Sequence, residues 1–116
     1  MTDTTAQPGA MPPSEVLQLK STVDVAPGAV VSRALMRTEG GNVTVFAFDA
    51  GQAHSEHSAP FDALVTSLDG ELVVIIAGED HPLEVGDSIL MPADVPHAVR
   101  APVAAKWMLV MLKTPK

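Results

Sequence analysis

Three histidines carry most of the chemistry that this sequence offers. His54 and His57 lie in Gly51-Gln-Ala-His54-Ser-Glu56-His57-Ser-Ala59-Pro-Phe61-Asp62-Ala63, and His97 closes Gly86-Asp87-Ser-Ile-Leu-Met91-Pro92-Ala-Asp94-Val-Pro-His97. Imidazole binds transition metals, exchanges hydrogen bonds and titrates near neutral pH. The chain has no cysteine, which excludes disulfides, thiolate metal sites and a cysteine nucleophile together. Histidine and carboxylate remain as the strong metal ligands. Metal-free acid–base catalysis by histidine has less support, because tyrosine is absent and no carboxylate pair stands with His57. No serine-nucleophile elbow, phosphate-cradling glycine loop or dinucleotide fingerprint is present.

These side chains need a frame. Runs rich in Val, Ile, Leu and Thr recur between turn signals at Gly28, Gly40-Gly41-Asn42, Gly51, Asp69-Gly70, Gly78, Gly86-Asp87 and Pro92. That spacing predicts an all-β sandwich or barrel. Strands are expected at Val16 to Lys20, Ala29 to Arg37, Val43 to Asp49, Phe61 to Leu68, Glu71 to Ala77, Leu83 to Val85, Ser88 to Met91, His97 to Ala101 and Lys106 to Leu112. Asp69-Gly70 gives the strongest hairpin signal, a type I′ turn. His81 falls in an expected turn, Asp62 after the Pro60 turn, and Glu56 in solvent. Val43 to Phe48 and Leu72 to Ile76 are apolar on both faces, so either two sheets pack tightly or a second subunit covers one.

Length and charge limit the partners. A chain of 116 residues makes one domain, taken as 15–116, preceded by a flexible tail over 1–14 that carries three prolines. A net charge of -7, with the seven basic residues spread singly, argues against nucleic acid and anionic membranes. The apolar runs are too short to span a bilayer and the N-terminus has no secretory pattern, so the expected location is cytoplasmic.

The two histidine segments resemble the paired motifs of the cupin family, over about residues 40 to 112. Gly51, His57, Ala59, Ala63 and Gly70 fall on the first motif's spacing, and Gly86, Pro92, Asp94, His97 and Ala101 on the second. The resemblance implies a small double-stranded β-helix, or jelly-roll barrel, of the RmlC-like type. It also implies three histidines and one glutamate pointing inward to hold a divalent ion such as iron, manganese, nickel or zinc. His57 and His97 keep two of those positions, while Ala59 and Ala63 replace the second histidine and the glutamate. Asp94 stands where the motif has glycine.

Two functions follow from the resemblance. In the first, the barrel binds a small organic ligand without a metal. The pocket is enlarged by the two alanines and lined by His57, His97, Ala59, Ala63, Phe61 and Met91, with Phe46, Phe48 and Met108 as further walls. In the alternative, one divalent transition metal on His54, His57 and His97 supports oxygenase, isomerase or decarboxylase chemistry. His54 reaches that site only if the chain bends at Ser55-Glu56, because residues three apart on a strand face opposite ways. Asp62 is one residue from the glutamate position and faces away for the same reason. A homodimer formed by sheet-to-sheet packing, with the strand near Val16 crossing over, is the expected assembly.

Overall fold

Period-two alternation decides which side chains enter the barrel, since successive residues of a strand point to opposite faces. The computed structural model describes residues 10–113. Its strands are β1 (Val30–Thr38), β2 (Gly41–Phe48), β3 (Ala53–His57), β4 (Phe61–Asp69), β5 (Leu72–Ile76), β6 (Glu79–Leu83), β7 (Ser88–Met91), β8 (His97–Arg100) and β9 (Ala105–Lys113). All pairs are antiparallel, in two sheets ordered β1-β2-β9-β4-β7 and β3-β8-β5-β6. The chain changes sheet at every connection from β2 to β5 and again from β6 to β9, which rolls it into the expected jelly-roll barrel.

Phe48, Val65, Leu72, Val74 and Trp107 fill the space between the sheets and are fully buried. Each such side chain is worth roughly 1.5–3 kcal/mol of burial. The opposite face of β2 explains its second apolar stripe. Val45 and Ala47 pack there with Val31, Leu35 and Val23, joined by Met11, Leu19, Ala26 and Met108. The cover over that part of the five-stranded sheet is thus the chain's own N-terminal segment. Met11 N donates to Leu35 O at 2.9 Å, Lys106 Nζ to Lys20 O at 2.7 Å, and Arg33 to Thr22 O at 3.3 Å.

Several expected elements differ. Val16 to Lys20 is not a strand: Val16 is fully exposed and Leu19–Ser21 forms a 3₁₀ turn that the Thr22 hydroxyl closes onto Leu19 O. Of the segment expected as a tail, residues 1–9 lie outside the described residues, whereas Met11 is docked on the sheet. Ala53–His57 is a strand although its sequence, Ala-His-Ser-Glu-His, has no β-branched residue. Pairing with β8 imposes it. Leu83 to Val85 gives way to Glu79–Leu83, an edge strand in which Pro82 needs no ladder partner for its nitrogen. His81 is therefore a half-buried strand residue opposite Val74 rather than a turn residue.

The type I′ geometry sits elsewhere than expected. Ala77 and Gly78, with φ of 51° and 81°, join β5 to β6 in a two-residue hairpin. Asp69-Gly70 instead carries the chain from one sheet to the other, and β4 and β5 do not pair. Gly70 has φ of 73°, and a Cβ there would collide with the carbonyl oxygen of Ala104. Gly51 has φ of 84° with open space around it. Gly51→Ala should therefore cost only the left-handed strain, about 1–2 kcal/mol, and Gly70→Ala distinctly more. Thermal denaturation of the two variants checks the order; equal losses would contradict the close approach.

Candidate functional site

The register of β3 against β8 places His57 directly opposite His97. Their rings lie 4.5 Å apart, centroid to centroid, at 70°. This proximity is set by the backbone, since cross-strand partners on one face sit side by side. Between His54 and His57 the pairing with β8 slips, a bulge at Ser55-Glu56 that breaks the alternation. As a result His54 and His57 both border the same cavity.

The second strand of the pair is aimed by a clamped loop. Asp94 N donates to Ala59 O at 2.8 Å, Ala93 N to the Asp62 carboxylate at 2.9 Å, and Ala77 N to Pro96 O at 2.9 Å. Asp94 adopts φ of 64°, the left-handed conformation that a glycine would take and that Asp tolerates better than most residues. The loop before His97 thus keeps its path despite the substitution. Asp62 points away from the cavity and serves as the anchor of that loop.

The cavity measures about 50 Å³. His54, His57, Ala59, Phe61, Ala63, Met91 and His97 line it, together with Val99, Trp107, Leu109 and Met111. Of the residues expected around a ligand pocket, His57, His97, Ala59, Ala63, Phe61 and Met91 are present, whereas Phe46 and Phe48 do not line it and pack around His54 instead. The last four wall residues were not foreseen; alternate positions of the β9 run Trp107 to Met111 were the only hint. Met108 lies on the other face of that strand, in the cluster beneath the N-terminal segment. The cavity is also smaller than the two alanines imply. Sites for drug-sized ligands occupy roughly 300–1,000 Å³, because there the walls stand further apart; here Trp107, Met91, Met111 and Phe61 fill the space. A trough of about 570 Å³ along Gly70–Val73 and Pro82–Val85 is larger, but it is open to solvent and holds no histidine.

Hydrogen bonds fix the histidines. His57 Nδ1 is 2.9 Å from Ser55 O, and His97 Nδ1 is 3.1 Å from Val95 O. His54 is held by aromatic rings, with Phe46 and Phe48 both at 4.9 Å and Trp107 at 5.8 Å, all edge to face. Burial pushes its pKa below the ordinary histidine value, and His57 adds to the effect. His97 is also shifted down by burial, against a smaller upward pull from the Val95 carbonyl and with His57 again lowering it.

A family model for the cupin domain matches residues 44–111. The chain belongs to the cupin family. Its fold is similar to a conserved protein of unknown function from Streptococcus pyogenes, 34% identical over 93% of this chain and 95% of that one, with a TM-score of 0.87. It is also similar to a cupin superfamily protein from Desulfitobacterium hafniense, 25% identical over 91% and 97%, with a TM-score of 0.85. A cupin 2 conserved barrel domain protein from Leptotrichia buccalis is 34% identical over 84% of this chain and 47% of that one, with a TM-score of 0.81. No curated protein matches the chain.

The donor set does not fit the metal that the cupin fold implies. Among the described residues no group of three His, Asp or Glu side chains is placed to hold an ion. His57 and His97 come together, but His54 packs into its aromatic box, and Ala59 and Ala63 offer no lone pair. No helix among the described residues is long and apolar enough to cross a membrane.

The pKa shifts carry a stability consequence. Unfolded histidines take up protons near pH 6.5, while folded His54 and His97 resist doing so. Below about pH 6.5 the unfolded state binds more protons, so stability is retained above that pH and lost as pH falls through it. The melting temperature should drop between about pH 7.5 and 5.5, and less so in His54→Phe. An equal slope in both proteins would contradict the burial of His54.

Proposed function

We propose that this cupin is a metal-free binding protein that holds the end of a small organic molecule in the cavity between His57 and His97. The observation that carries the reading is the convergence of His57 and His97 on a mostly enclosed space whose other walls, His54 apart, are apolar. Binding sites combine an apolar wall with a few polar groups that fix orientation, and the histidines are the polar groups here. A water occupies about 10–15 Å³ on this measure of volume, so the closed part accepts a group the size of a few waters. The rest of such a ligand extends toward the mouth beside exposed His57. The three-histidine enzyme lacks a third ligand, and no observation favours it.

The proposal includes a homodimer. Met36, Val43, Val110, Leu64 and Leu90 pair in register across all five strands on the outer face of the larger sheet. The row has no charge, and the N-terminal segment stops short of it: Met36, Leu64 and Leu90 are 57%, 39% and 56% exposed. A second copy, meeting the row with its own, would cover an apolar surface that soluble proteins seldom leave open. The crossing strand near Val16 is not part of the proposal, since that segment folds back on its own chain.

A thermal-shift screen of small polar organic compounds tests the binding function. Ligands that prefer the folded state raise its apparent stability, so hits should stabilise the wild type and not Ala63→Leu, which fills the cavity. Hits indifferent to Ala63→Leu would contradict the site. For assembly, light scattering should give a dimer mass for the wild type and a monomer for the Leu64→Glu/Leu90→Glu double variant. A monomeric wild type would overturn the dimer.

A further inference from the structure

The hydrogen bonds of the two histidines define what the cavity can recognise. A carbonyl oxygen only accepts, so the 2.9 Å contact to Ser55 O and the 3.1 Å contact to Val95 O each require a proton on Nδ1. A neutral imidazole with its proton on Nδ1 presents a lone pair at Nε2. Nδ1 is occupied in both rings, so Nε2 is the atom that each has left to offer, and both offer an acceptor. Two acceptors side by side call for two donor protons.

The rest of the wall sharpens the choice. Strands β4, β7 and β9 contribute only Phe61, Met91, Trp107 and other apolar side chains, with no lysine or arginine among them. A carboxylate would therefore face two lone pairs with no cation to offset its lost hydration, a costly arrangement. An ammonium group would donate well but would be buried without a countercharge. A hydroxyl donates to an imidazole lone pair without bringing a charge into the cavity. Each hydroxyl carries one proton, so two neighbouring hydroxyls serve the two rings.

We propose that the cavity selects the uncharged end of a small molecule that bears two neighbouring hydroxyls, one donating to Nε2 of His57 and the other to Nε2 of His97, and discriminates against carboxylates. The inference rests on the binding-cavity reading above and adds the chemical class of the ligand.

The test has two stages on the full-length protein labelled with ¹⁵N, at a pH well above the histidine range. Long-range proton–nitrogen correlation spectra report which ring nitrogen carries the proton, and both His57 and His97 should be Nδ1–H tautomers. Titration then compares 1,2-propanediol with propionate, which have the same number of non-hydrogen atoms. The diol should shift the Nε2 resonances of both rings with a half-saturation at least about tenfold lower than that of propionate, equivalent to roughly 1.4 kcal/mol. His97→Phe, which keeps a ring of similar size and removes the lone pair, should lose that preference while remaining folded by its melting curve. Nε2–H tautomers, or propionate binding as well as the diol, would overturn the selectivity and leave the cavity reading intact. If neither compound shifts any cavity resonance, the cavity reading fails and the selectivity with it.

Discussion

The pairing of β3 with β8 is the constraint on which the site depends. It sets His57 against His97, and its bulge at Ser55-Glu56 brings His54 to the same cavity. Neither strand would hold alone: β3 is polar, short and at the edge of its sheet. Its position is fixed by the ladder to β8, and β8 is fixed in turn by β5 and by the loop that Asp62 and Ala59 anchor. The two imidazoles are thus placed by the backbone ladder and by the clamped loop. Such preorganisation limits the ordering cost of binding.

At two positions where the family motif carries metal ligands, this chain has alanine. Ala59 and Ala63 remove donors without leaving a large void, because Trp107, Met91, Met111 and Phe61 close around the gap. Close packing of this kind is the rule in protein interiors, where unfilled volume forfeits contacts on every side. His54 is the clearest sign of the change. Surrounded by Phe46, Phe48 and Trp107, it behaves as a polar member of an aromatic cluster, and its neutral form is favoured by burial. His57 and His97 instead hydrogen-bond to backbone carbonyls, of Ser55 and Val95.

Much of this was legible in the sequence, for identifiable reasons. Leu72 to Ile76, with its β-branched run, and Ser88 to Met91, bounded by Gly86-Asp87 and Pro92, were found because their signals are local. The spacing of Gly51, His57, Gly86 and His97 located the cavity, and the six residues expected there all border it. What escaped was set by distant partners. Ala53–His57 and Glu79–Leu83 are strands only because a neighbour offers a ladder, and the cover for β2 comes from residues far away in the chain. Asp69-Gly70 was misassigned because a glycine needed for close approach to Ala104 looks, in sequence, like one needed for a hairpin. The cavity's small size depends in part on Trp107 and Met111 of β9, whose inward aim no single motif announces.

On the proposed function, His57 and His97 of this cupin serve an organic ligand rather than a metal ion. Elemental analysis of untagged protein, purified without chelator beside His57→Ala and His97→Ala variants, tests it most directly. Far less than one equivalent of any transition metal is expected in the wild type, even after incubation with each ion. Near-stoichiometric metal that disappears in both variants would contradict it.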